Sequence, residues 1–268
     1  WFRHLALVFG TSLYALSAVL CAFMTGLAGG AWIMGWVLGR TSVELEPNKL
    51  IRFYGLLEGL IGLYALCFPL VLDLLQGLYP LILPASGEVG LTVHLFEFFL
   101  STLLMFPATL LMGASLPLVG CWVTNNQTEK IFTQVSLLYG INTFGAVFGC
   151  LFAQFFAIRL WGVQGTTCFA IALNILVLML CYSRARIFYV VEPSSHETRK
   201  HQDEQEAKFS PTTGLLVIFM FAYSGMASLS SEILWTRILV FPMGSTLYSF
   251  ALILATFLSG IALGSLTA

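Results

Sequence analysis

Long windows almost free of charge recur along the whole chain, and they restrict the fold more than any motif does. They run from Gly10 to Trp36, Ile51 to Leu75, Leu91 to Val123, Ile131 to Ile158, Val163 to Tyr182, Leu215 to Val240 and Gly244 to Ala268. Each reaches the roughly 20 apolar residues, at about 1.5 Å rise per residue, that a helix needs to cross about 30 Å of hydrocarbon. Lipid offers no partner to a bare N–H or C=O, so only helices and closed barrels span it. The windows lack the period-two alternation of barrel strands, which leaves helices. Composition agrees: 58% of the residues are hydrophobic and 9% charged, against about 45–50% and about 25% in soluble domains. The expectation is an all-α polytopic membrane protein of seven visible spans, with the lipid bilayer as its first partner.

Other classes fall away. The opening apolar run is too long for the core of a cleavable signal peptide and is read as a mature span. Basic and acidic residues nearly balance, 12 against 13, so no nucleic-acid surface is expected. The six cysteines stand singly, with no CxxC and no histidine at ligand spacing, so neither metal nor cofactor is expected. No catalytic set is visible either.

The basic residues orient the bundle. Arg40, Lys49 and Arg52, then Lys130, then Arg184, Arg186, Arg199, Lys200 and Lys208 fall on one side, and Arg3, Arg159 and Arg237 on the other. The richer side is predicted to be cytoplasmic. It holds the polar stretch 191–213, which has mixed charge and no apolar periodicity and reads as a solvated linker containing His196 and His201. The sequon at Asn126 lies on the same side, which argues against glycosylation.

An internal repeat is the strongest single signal. Shifted by 234 residues, the stretch beginning at Trp1 lies without a gap on the stretch beginning at Trp235, and 11 of 31 positions are identical. Among them are Trp1/Trp235, Arg3/Arg237, Gly10/Gly244, Tyr14/Tyr248, Gly26/Gly260 and Gly30/Gly264. The two copies share a predicted orientation, which makes them parallel repeats about an axis along the membrane normal. A span equivalent to the one before Trp235 is then expected before Trp1. This divides the chain into a half-bundle at 1–190 lacking its first span, the linker at 191–213, and the first two spans of a second half at 214–268. The window is expected to come from a longer, two-half protein.

The runs "SGMASLSSEILWTRILVFPMGSTLYSFALILATFLSGIALGS" from Ser224, "FPATLLMGASLPL" from Phe106 and "LLYGINTFGAVFGC" from Leu137 resemble the bacterial fused major-facilitator/spermidine-synthase proteins. The resemblance covers nearly the whole chain. It implies a major-facilitator-like bundle in the bacterial inner membrane and, as partner, a soluble aminopropyltransferase-like domain that is not in this stretch. The loop "GWVLGRTSVELEPNK" from Gly35 keeps the glycine and arginine of the major-facilitator gating signature but lacks its aspartate.

Ionisable groups inside spans cost about 2.5–3.5 kcal/mol at the helix centre, so each calls for a partner or a purpose. Glu232 is expected well inside the bilayer, about 12 Å from the outer end at Val240. Arg237 follows five residues later, about 140° round the helix, so the two do not stack. Glu232 is expected to bond a neighbouring helix, with a proton or substrate role as the alternative. Glu58 lies between Gly55 and Gly59 in a small-residue face that suits close packing, with its carboxylate bonding across it. His94 and Glu97, three apart near the outer surface, are expected to cap a helix entrance, with relaying a proton or binding a cation as the alternatives. Asn142 sits among small residues, and Gly145/Gly149 repeat the spacing of Gly26/Gly30 and Gly260/Gly264, read first as packing faces and second as cavity lining. Tyr14 and Tyr248 suit an interfacial belt or a cavity rim. Pro69, Pro107, Pro117 and Pro242 are expected at kinks or span ends.

Three functions fit this sequence: a membrane module that anchors or feeds an aminopropyltransferase-like domain, a secondary transporter for a small cationic solute such as a polyamine, and a scaffold subunit within a larger membrane complex.

Overall fold

A computed structural model describes residues 13–40, 46–82, 91–124, 131–187, 211–244 and 246–267. All regular structure among them is helical: α1 (Leu13–Arg40), α2 (Pro47–Ile82), α3 (Leu91–Thr124), α4 (Ile131–Phe152), a π-helical turn (Ala153–Ala157), α5 (Ile158–Ile187), α6 (Pro211–Met243) and α7 (Thr246–Thr267). The hydroxyls inside these helices are satisfied locally. Thr25 donates to Cys21 O, Thr109 to Met105 O and Thr143 to Tyr139 O, so each of these threonines closes on its own helix without needing water. Apolar side chains cover the outside, with Trp32 at 73% and Phe219 at 76% exposure. In water such a surface would aggregate, and a bilayer is the solvent that suits it.

Five stretches among the described residues are long and apolar enough to cross a membrane: Val19–Arg40, Pro47–Leu74, Phe98–Val123, Thr133–Ser183 and Leu247–Thr267. The fourth merges two of the windows expected from sequence. Arg159, in the gap of 159–162 between those windows, lies in the first turn of α5 and does not make the turn. The chain turns instead at Gly162, whose φ of 67° only glycine adopts without strain. The reversal is visible in the side chains. Phe152 and Phe169 are 17 residues apart, yet their ring centroids lie 6.0 Å from one another, and Trp161 touches both. On a straight helix they would be about 25 Å apart. At the other end of the expected linker, α6 already begins at Pro211, so Pro211 to Thr213 are helical.

The core lies among α1, α2 and α3. One cluster joins Val19 and Ala22 to Phe68, Leu72, Leu104 and Met105, and a second joins Met34 to Leu50, Leu57, Ala114 and Leu118. Close approach of α1 and α3 depends on glycine at both sides. A Cβ on Gly30 would meet Ala114 N at 2.8 Å, and one on Gly113 would meet Leu27 Cα at 2.7 Å. Tyr64 of α2 donates to Leu104 O of α3 at 2.6 Å, one residue from the Leu103 carbonyl that Pro107 deprives of its intrahelical donor. Pro117 also lies inside α3, and Pro242 falls in the last turn of α6. Elsewhere α2 packs on α5, α4 on α7, and α6 on α7 with a lighter contact to α1. The α6–α7 joint is tight: Gly244 at φ 65° ends α6, its N–H bonded to Val240 O at 2.8 Å.

Candidate functional site

Two carboxylates that are buried or half-buried among the described residues, Glu58 and Glu232, set the candidate sites, and they differ in what surrounds them. Glu58 is half-buried on α2. Its face of Gly55, Gly59 and Gly62 receives α5: Cβ atoms there would meet Cys181 Cβ at 2.7 Å, Leu178 Cδ2 at 2.9 Å and Asn174 Cβ at 3.1 Å. Close packing at Gly55 and Gly59 is therefore as expected. The hydrogen bond is not, because the donor to Glu58 is Tyr54, one turn back on the same helix, rather than a group across the interface. Residues four apart stack on one helix face, which makes this local pair geometrically easy. Sequence reasoning missed Tyr54, Asn174 and Cys181; the four-residue spacing of Tyr54 and Glu58 was the available signal. Beside this pair, a cavity of about 180 Å³ is lined by Leu50, Tyr54, Leu118, Trp122 and Cys181 among others. A second cavity, of about 410 Å³, lies between α3, α4 and α7, with Pro117, Gly120, Ser136, Tyr139 and Ser265 in its walls. The first falls where α2 begins and α3 and α5 end, the second where α4 begins and α3 and α7 end.

Glu232 is 5% exposed on α6, and its Oε1 has no hydrogen-bond partner. It belongs to a stripe of Leu229, Glu232, Ile233 and Thr236 in the second half of that helix, the part that packs. Thr236 is fully buried and gives its hydroxyl to the Glu232 backbone oxygen at 2.8 Å, not to the carboxylate. Arg237 is exposed. Among the described residues the ion pair found is Lys49–Glu46, 3.6 Å at the start of α2, so Arg237 does not neutralise Glu232. The expected bond from Oε1 to a neighbouring helix is not made.

The remaining candidates separate clearly. Asn142 is exposed on α4, while Thr143 beside it is the buried polar residue. Gly145 and Gly149 are likewise exposed, and a Cβ on either would meet nothing within 4 Å; the same holds for Gly260 and Gly264 on α7. Of the three glycine pairs read as packing faces, only Gly26/Gly30 is filled. The physical reason is that the spacing marks a thin backbone but carries no record of whether a helix lies against it. Tyr248 stands 5.5 Å from the Phe155 ring of the π turn, so it joins an aromatic contact between α7 and the α4–α5 corner. Cys150 reinforces that contact with its thiol 3.7 Å from Ala251 O. The side chains of Tyr14, His94 and Glu97 lie outside the described residues, as do Trp1, Arg3, the sequon and the linker histidines.

Comparison of the chain with family models, with characterised proteins and with solved structures finds no match.

Proposed function

We propose that the chain is a membrane module similar to the membrane part of the fused major-facilitator/spermidine-synthase proteins, serving to anchor and feed an aminopropyltransferase-like domain. The observation that carries this reading is the packing of α7, which follows the linker, along α4, which precedes it. Segments on both sides of the linker thereby form a single body, as a two-half bundle requires. Apolar outer faces fit a bilayer, and both cavities lie at the helix ends that the basic residues assign to the cytoplasm. A cytoplasmic catalytic domain would meet the module at that end.

The test is purification from native membranes in mild detergent, followed by an assay for aminopropyl transfer to a diamine. Activity that elutes with the module at fixed stoichiometry supports the reading. A pure module with no such activity, and none in its co-eluting chains, overturns it.

A further inference from the structure

We propose that Glu232 is a proton-binding site, its carboxyl carrying a single exchangeable proton in the buried stripe of α6. Among the described residues no group satisfies the orphaned Oε1. The neighbouring hydroxyls of α6 are committed to backbone carbonyls: Ser230 to Met226 O, Ser231 to Ala227 O and Thr236 to Glu232 O. The charged groups nearby do not reach it. On α6 itself Arg237 points to the exposed side. On α7 there is no charged residue, and its one tyrosine, Tyr248, lies against Phe155. On the described part of α1 the groups are Cys21, which is exposed, and Arg40, which sits over the Trp36 ring 4.4 Å from its centroid.

A metal cation fits poorly, because hard cations take about six or more oxygens. Here one carboxylate stands among helical carbonyls already used by their own helices, and no cluster of metal-binding side chains exists among the described residues. A proton needs one oxygen. An ionised carboxylate buried without a partner is strongly disfavoured, whereas a neutral carboxyl loses far less on leaving water. The proposal is independent of what solute the module handles and of whether it carries a catalytic domain.

The intact protein in lipid, treated with dicyclohexylcarbodiimide over a range of pH and mapped by mass spectrometry, tests this, since the reagent attacks protonated carboxyls in apolar surroundings. Glu232 is expected to be modified at neutral pH at least about tenfold more than the exposed Glu46, with the reaction fading at alkaline pH. Infrared spectra should show a protonated-carboxyl band that Glu232→Gln removes and Glu58→Gln leaves in part. An unreactive Glu232 at neutral pH overturns the proposal. So does protection by sodium or an alkylammonium ion at fixed pH, which would assign the site to a cation. Should Glu232→Gln not fold, labelling of the native protein decides alone.

Discussion

The helices α1 and α7 carry the same glycine spacing, 234 residues apart, and meet opposite fates. Gly26 and Gly30 on α1 lie against the backbone and side chains of α3, with Thr109, Leu110 and Ala114 occupying the space a methyl would need. Gly260 and Gly264 on α7 face nothing within 4 Å. Their helix meets α4 at other residues: the Cys150 thiol reaches Ala251 O, and a Cβ on Gly140 would meet Ser265 Oγ at 2.9 Å. The difference teaches that a small-residue pair is a permission for close approach, and that the neighbouring helix decides whether it is used.

The comparison can be broken outright. Gly30→Leu forces a side chain into the Leu110 and Ala114 backbone, which has no rotamer to yield, and should lose about 3 kcal/mol or more, lowering the thermal midpoint of the protein in detergent. Gly264→Leu should stay within about 0.5 kcal/mol. Equal losses at the two positions would show that the faces are not different. A finer test is Gly26→Ala, where the nearest obstacle is the Thr109 side chain, its Cβ 2.6 Å from the new methyl. A loss of about 1–2 kcal/mol is expected, and a double-mutant cycle with Thr109→Gly should recover about 1 kcal/mol as coupling; an additive pair would mean the contact is absent. The smallest effect sharpens the rule from the other side. Gly162 also has open space around it, yet Gly162→Ala should cost about 1 kcal/mol through its left-handed backbone alone, while Gly145→Ala costs less than about 0.5 kcal/mol. Thermal midpoints of the two variants, measured side by side, separate a conformational glycine from a vacant one.

Much of the architecture was legible because lipid allows so little. Windows such as Leu91–Val123 reappear almost unchanged as α3, since a run of that length and apolarity has no other way to satisfy its backbone. The packing of Glu58's face was legible for a similar reason: Gly55 and Gly59 on one stripe leave room that a neighbour fills. Where the reading failed, information from another helix was needed. Nothing in the α2 sequence names Cys181 or Asn174 as the residues that enter its groove, and nothing in α4 says that its thin face at Gly145 stays open. The reversal at Gly162 falls inside the gap, 159–162, left between two windows, but only backbone geometry shows that this glycine, and not the charged Arg159, makes it. Glu232 shows the limit most clearly. Its burial followed from its place in the span, but its lack of a partner is a property of three helices together.

One consequence of the α6 geometry is mechanical. The described side chains of its first half, from Leu215 through Tyr223 and Met226, are exposed, whereas the second half is clasped between Leu229 and Thr236 and jointed to α7 at Gly244. The helix is thus a lever with a long free arm and its fulcrum at Glu232. At about 1.5 Å per residue the arm from Pro211 to Glu232 is about 32 Å long, so a tilt of about 10° sweeps the linker end through about 5.5 Å while the fulcrum hardly shifts. A pull from the linker would reach the carboxyl as torque, turning it relative to its surroundings without carrying it along the membrane.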